Sequence, residues 1–307
     1  MAGRIVILGV FVADTAYRAD RAPRMGETIM GNSFALGPGG KGSNQAVAAA
    51  MAGGDAHFIT KLGNDPFADM ALATWAKAGV TPQITQHDDS YTGAAYIFVE
   101  EATGDNAIII CPGIARTITP EYVGEHEKLI GDAAVFMTQL EQPMAAALRA
   151  LELAHEGGAV TILNPAPAAD LPEGMLALCD YATPNESETE ALTGLPVTSI
   201  EEAREAAELL LAKGVGTAII TLGENGALFH SPTQSVHVPA LHAGAVVETT
   251  GAGDAFNGGF AAALAEGADP IDAVRFGCAT AAISVTRPGT APSMPPLGEI
   301  EALLAGP

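Results

Sequence analysis

Positive charge is what this 307-residue chain most lacks: 14 Lys and Arg stand against 36 Asp and Glu, a net charge of −22. A surface that acidic repels phosphate backbones and anionic lipid, so neither nucleic acid nor a membrane surface is an expected partner. Aromatic residues are also sparse, at 5% with one Trp. The longest apolar runs, such as Ile5–Val12, fall well short of the ~20 residues a spanning helix needs. Three scattered cysteines, Cys111, Cys179 and Cys278, are odd in number and argue against a disulfide framework. There is no internal repeat and no low-complexity linker, so composition marks no domain boundary. The opening MAGRIVILGVFVAD reads as a first buried strand rather than a signal peptide. A cytoplasmic protein is the expectation.

A hydrophobic share of 48% excludes general disorder. Apolar runs bounded by Gly, Pro or Asn predict buried strands at Ile5–Val10, His57–Leu62, Ala133–Thr138, Ala159–Leu163 and Thr217–Leu222. Helical spacing predicts helices at Ser43–Met51, Pro66–Ala78, Pro143–Glu156, Ile200–Lys213, Ala252–Glu266 and Pro270–Thr286. Such alternation predicts an α/β fold with a mostly parallel sheet covered by helices on both faces. Tyr17–Leu36 and Tyr91–Ile110 break the pattern. They read as β excursions able to form a small second sheet, or as long surface loops.

Two glycine-rich segments carry the chemistry. In LGPGGKGSNQAVAAA, Gly37, Gly39 and Gly42 satisfy a dinucleotide-type spacing with Asp55 beyond. Pro38 inside the turn and the position of Asp55 before a strand weaken that match, and Gly42 after Lys41 breaks the P-loop pattern. What remains is a loop that admits close backbone approach at a helix start, with Lys41 and Asn44 as donors, or simply a tight turn before a core helix. In ETTGAGDAFNGGF, Gly251, Ala252 and Gly253 precede Asp254 at the head of a helix. Backbone N–H groups there form an anion pocket, and a carboxylate beside it suits a base taking a hydroxyl proton during phosphoryl transfer. Asp is equally an ordinary first-turn residue. Pro184–Glu188 opens another helix; its acids suit water-mediated Mg²⁺ or the helix dipole. The Thr221–Gly226 turn suits a nucleotide or a hairpin. Glu141 follows a strand at the carboxyl end, where open α/β sheets bind ligands.

Taken together, GGKGSNQAVAAA and TTGAGDAFNGG resemble the two signatures of the ribokinase-type (PfkB) carbohydrate kinases, with GETIMGN, QLEQP, LNPAPA, TPNESE, ITLGENGA and VTRPGTAPSMP between and after them in the family's order. The resemblance covers nearly the whole chain, residues 1–307 as one kinase domain. It implies a three-layer α/β/α sandwich with a small β lid at about 14–36 and 91–110, and a homodimer paired through that lid. It implies ATP-dependent phosphorylation of the 5-hydroxyl of D-ribose. Asp254 falls on the general base, with Gly251, Ala252 and Gly253 around the phosphoryl group. Val12, Asp14, Gly40, Lys41, Gly42, Asn44 and Glu141 fall on sugar positions. Asn185, Thr221, Gly223, Gly226, Gly253 and Cys278 fall on nucleotide positions, with Glu188 supporting Mg²⁺. A monovalent cation, K⁺ by expectation, is implied at Glu248, Thr250, Ser284, Arg287, Gly289 and Ser293. Against a net charge of −22, binding of polyanionic ATP must rest on local positive sources.

Two positions depart from the family's pattern. Val12 stands where an Asn bonds sugar hydroxyls, as an apolar residue does in the similar 2-deoxyribose kinases, so 2-deoxyribose rivals ribose. Glu248 stands where Asp is usual; one more methylene moves its carboxylate by roughly 1.5 Å. Other pentose or nucleoside kinases of the family, a non-catalytic sugar sensor and a nicotinamide-dependent enzyme are the competing readings. A sensor has no need of the Asp254 base.

Overall fold

The computed structural model describes residues 3–306. Thirteen strands and ten α-helices are assigned among these residues. They are β1 (Arg4–Leu8), β2 (Val12–Ala19), β3 (Ser33–Gly39), α1 (Lys41–Met51), β4 (Asp55–Gly63), α2 (Pro66–Ala78), β5 (Thr81–His87), β6 (Thr92–Glu100) and β7 (Asn106–Gly113), followed by α3 (Pro120–Gly124), α4 (Glu127–Gly131), β8 (Val135–Thr138), α5 (Met144–Gly157), β9 (Val160–Leu163), β10 (Tyr181–Ala182), α6 (Glu186–Thr193), α7 (Ile200–Ala212), β11 (Thr217–Thr221), β12 (Ala227–Ser231), β13 (Gln234–Val238), α8 (Ala252–Ala265), α9 (Pro270–Ser284) and α10 (Leu297–Ala305).

Nine strands form one sheet in the order β13-β12-β11-β10-β9-β8-β1-β4-β5. All its pairings from β11 to β5 are parallel, and β12 runs antiparallel to both its neighbours, β11 and β13. The period-2 alternation of β1 explains the layers. Ile5 and Ile7 join one buried cluster with residues of α1, α2, α8 and α9, while Val6 and Leu8 join the other with residues of α5 and α7. Burial on both faces is why these strands read as unbroken apolar runs. Small residues set the spacing of the first layer. A Cβ on Gly258 would lie 2.4 Å from Ala48 Cβ, and one on Gly277 would lie 2.8 Å from Phe256 O. Helices α1, α8 and α9 therefore meet backbone to backbone.

The other sheet is β3-β2-β6-β7, built from the two excursions. The first pair, Val12–Ala19 with Ser33–Gly39, begins earlier and ends later than the sequence suggests, and the second, Thr92–Glu100 with Asn106–Gly113, ends later. Asp65 ties this sheet to the core. One carboxylate oxygen caps α2 through the N–H groups of Phe67 and Ala68, and the other accepts the Thr92 N–H at 2.7 Å.

Several elements were not legible from periodicity. Strand β5, TPQITQH, and strand β13, QSVHV, are half-exposed edges with little apolar content. Strand β10 has only two residues. The first strand stops at Leu8 rather than Val10, and the helix after the first glycine loop starts at Lys41 rather than Ser43. No helix among the described residues is long and apolar enough to cross a membrane.

Candidate active site

Strand order reverses about β1, which lies between β8 and β4. Ligands of open α/β sheets bind beyond the carboxyl ends at such a switch point. Here the chain leaving β1 passes through Val10 and Phe11 into the smaller sheet and returns through Gly39 and Gly40 to α1. Backbone contact fixes that path. Gly40 has φ 88°, and a Cβ on it would lie 2.5 Å from Val10 O. A Cβ on Gly39 would collide with the Asp14 carboxylate, and one on Gly42 would lie 2.7 Å from Gly9 Cα. The glycines bring Asp14, Lys41 and Asn44 to one place.

Asp254 enters from the opposite helix. Helix α8 begins after Gly251, whose φ is 82°, and no side chain caps it. Asp254 thus does not act as an ordinary first-turn cap. Its carboxylate turns to α1, where Oδ2 accepts from Asn44 Nδ2 at 3.0 Å and Oδ1 accepts from Gln45 Nε2 at 3.0 Å. The side chain is buried, and burial pushes its pKa up; Lys41 and the two amides oppose that shift. The Ala252 N–H is committed to Thr249 O at 3.1 Å, whereas the N–H groups of Gly253 and Asp254 have no partner among the described residues. They face forward from the helix end, where the dipole favours an anion.

Two further carboxylates stand close. Asp14 is raised to about 6 by burial and then by Asp254. Glu141 is raised to about 7 by burial, against the pull of Lys41, and its Oε2 accepts the Lys41 N–H at 2.8 Å. Lys41 also opposes the burial-driven rise of Glu188. It is the cation shared by Asp254, Glu141 and Glu188. Asn44 Oδ1 is buried without a partner and so remains an open acceptor.

A cleft of about 150 Å³ joins Lys41 and Asp254 to Gly251, Gly253, Asn185, Glu188 and Thr221. Asn185 and Glu188 form a reciprocal cap on α6: Asn185 Oδ1 accepts the Glu188 N–H at 2.8 Å, and Glu188 Oε2 accepts the Asn185 N–H at 2.9 Å. The cap holds Glu188 at the cleft while using one of its oxygens. Gly223 and Gly226, both with positive φ, close the turn after β11. Cys278 is buried in α9 with Phe256 and does not line the cleft. Val12 is buried on β2 opposite Gly39 and Gly93. A larger cavity of about 380 Å³ lies elsewhere, against Leu171 and Leu192. Its charged residues Asp170, Glu173 and Lys213 are all exposed, and it carries no chemistry.

Of the six positions expected to hold a cation, hydrogen bonds join Glu248 to Gly289 and Ser284 to Arg287. Gly289 N–H donates to Glu248 Oε2 at 2.8 Å, Arg287 N–H donates to Ser284 O at 3.1 Å and Ser293 Oγ donates to Thr290 O at 2.7 Å. Thr250 is exposed just before the Gly251 turn. The Arg287 guanidinium turns away to Glu299. Among the described residues no three His, Cys, Asp or Glu side chains gather as a metal cluster.

The family model for pfkB family carbohydrate kinases matches residues 3–297. The chain belongs to that family. It is a phosphotransferase acting on an alcohol group, with ATP as phosphoryl donor. A ribokinase of Staphylococcus aureus (strain COL) is 38% identical over 304 residues, covering 98% of this chain and 99% of that one. A deoxyribokinase of Salmonella typhi is 36% identical over 303 residues, covering 98% of each. The structure of Arabidopsis thaliana ribokinase complexed with ribose and ATP aligns with a TM-score of 0.94 at 29% identity, covering 99% of both chains. The three-layer pfkB fold and the kinase class agree with the sequence reading.

Sequence reasoning passed over the polar residues behind the site. Gln45, Gln139, Asn164, Thr183 and Asn257 are all buried beneath Asp254. Two signals pointed to them. Gln139 and Asn164 each follow a strand's carboxyl end, and Asn257 lies one helical turn from Asp254 on the same face.

Proposed function

We propose that this pfkB kinase transfers the γ-phosphoryl group of ATP to the 5-hydroxyl of D-ribose, with Asp254 as general base. The observation that carries this reading is a buried carboxylate at the head of α8 that leaves its own helix uncapped and faces the sugar-side residues Asn44 and Lys41. Asp254 takes the hydroxyl proton as the sugar oxygen bonds to phosphorus, the bond from phosphorus to the bridging oxygen breaks, and ADP leaves. The unpaired N–H groups of Gly253 and Asp254, with Lys41, offset the charge on the transferring group. Asp14, Glu141 and the open Asn44 Oδ1 are the acceptors for sugar hydroxyls.

Mg²⁺ travels with ATP, and Glu188 fits it through its uncommitted oxygen. A monovalent cation would be held by backbone oxygens around Glu248, Thr250, Ser284, Arg287, Gly289 and Ser293. In this reading residues 1–307 act as one catalytic unit in the cytoplasm, where ATP is abundant. The four-stranded sheet covers the sugar. Its exposed Tyr17, Phe34, Leu36, Tyr96 and Ile109, which share one face, pair two copies as a homodimer. Incubation with ATP, Mg²⁺ and a panel of pentoses, with and without K⁺, tests the assignment by ADP release. Absence of ADP with every sugar would overturn it.

Val12 favours a second substrate, 2-deoxyribose. It is buried and apolar on the strand that carries Asp14, and its side chain can bond no sugar hydroxyl. Val12→Asn should move the ratio of kcat/KM for ribose over 2-deoxyribose toward ribose by about tenfold. An unchanged ratio removes Val12 from the specificity argument.

The raised carboxylates set the pH dependence. Asp14, at about 6, and Glu141, at about 7, accept hydroxyls best when ionised. Raising the pH from 5 to 8 should therefore raise kcat/KM for the sugar, with the slope approaching about tenfold per unit on the acid side. A profile flat through this window would contradict their role.

A further inference from the structure

Beneath Asp254 the buried amides form a ring whose direction has one possible sense. The Thr183 carbonyl can only accept, so Asn164 must turn Nδ2 toward it, at 3.0 Å. Asn164 Oδ1 then faces Gln45, which must answer with Nε2, at 3.1 Å. Gln45 Oε1 is left to accept from Gln139 Nε2 at 2.5 Å. The same Gln45 Nε2 carries the donor that reaches Asp254 Oδ1. The ring closes through Thr183 Oγ1, which donates to Asn257 Oδ1 at 2.7 Å, and Asn257 Nδ2, which donates to Gly253 O at 2.8 Å. Gln45 and Gln139 are fully buried and do not line the cleft, so water cannot substitute there for a lost partner.

We infer that Gln45 is a positioning residue for phosphoryl transfer, compelled by the Thr183 carbonyl to aim an N–H at Asp254 and hold its carboxylate ionised and in line. This rests on the reading of Asp254 as the base. Asn44 offers the other oxygen a donor but has no such anchor, because its Oδ1 has no partner. A burial-raised carboxylate needs a fixed donor to keep working as a base near neutral pH, and a donor to a charged group is roughly twice as strong as a neutral one. The charged groups facing Asp254 are Lys41 from α1, Asp14 from β2, Glu141 beyond β8 and Glu188 from α6. Gln45 bonds none of them, so its removal changes the base without changing its ionic surroundings.

The test is the pH profile of kcat at saturating sugar and ATP for wild type, Gln45→Met, Asn164→Leu and Asp254→Asn. Met fills the Gln volume without donating. Gln45→Met should lower kcat by about 10- to 100-fold and leave the sugar KM within about threefold. It should also move the acid limb of the profile up by about one pH unit. Asn164→Leu, whose side chain never touches Asp254, should move the limb the same way by less, because Gln45 loses its anchor. A purely structural role would lower the melting temperature and leave the limb in place. If Gln45→Met does not fold, Asn164→Leu decides by the same limb. An unmoved limb with Asp254→Asn inactive overturns the role of Gln45. Turnover retained in Asp254→Asn overturns instead the base assignment beneath it.

Discussion

Asp254→Asn should lower kcat by about 10²- to 10⁴-fold while the sugar KM changes by only a few fold. The asymmetry follows from what the carboxylate does. It touches two amide donors and, in the proposed reaction, only the proton of the attacking hydroxyl, so its loss weakens the transition state far more than the ground state. Asn also brings one acceptor to a place with two donors. The Gln45 amide cannot turn, because its direction is set by Asn164 and Thr183. Asn44 can turn, since its Oδ1 has no partner. The variant should therefore fold, with the strain relieved on the Asn44 side. Steady-state kinetics with ADP detection measures the loss, and a variant with near-normal kcat removes Asp254 from the role of base.

Gly40→Ala should be the most damaging single-methyl change on the sugar side of the site. Gly40 combines φ 88° with a backbone wall: its added Cβ would lie 2.5 Å from Val10 O and 3.0 Å from Val12 N. Neither neighbour can swing aside as a side chain does. Strain and overpacking together should cost about 2–5 kcal/mol, a melting drop of roughly 5–10 °C. The functional cost follows from position. Gly40 sets the start of α1, and with it the Lys41 N–H that holds Glu141. The sugar KM should rise by about tenfold or more. Gly79→Ala is the control, because Gly79 has φ 85° but nothing within 4 Å of its added Cβ. It should cost about 1–2 kcal/mol of strain and leave the KM unchanged. Equal effects at the two glycines would mean that backbone strain alone, rather than the closeness of Val10, governs the loop.

Much of this site was legible before any coordinates. The two glycine-rich segments announced themselves because chemistry at a helix start needs residues without side chains, and such residues leave a mark in sequence. Asp254 was readable for the same reason, being the first acid after the glycines. The hidden part was relational. Gln45 lies next to Asn44 in sequence, yet its partners are 94, 119 and 209 positions away, at Gln139, Asn164 and Asp254. No local pattern marks a buried glutamine as a donor rather than as an ordinary helix residue. Edge strands escaped for a different reason. β5 and β13 are stabilised by pairing on one side only and bury too little to impose an apolar period.

By itself, then, the order of residues determined the layered α/β architecture, the family and the candidate base, because burial on both sheet faces writes apolar runs and phosphate chemistry writes glycines. Only the tertiary structure decided that Asp254 turns from its own helix toward α1, that Asn185 and Glu188 cap each other at the cleft, and that a ring of amides fixes the donor aimed at the base. Those outcomes depend on hydrogen bonds between distant segments, whose direction is set by which atom is obliged to accept, and that obligation exists only once the chain has closed around it.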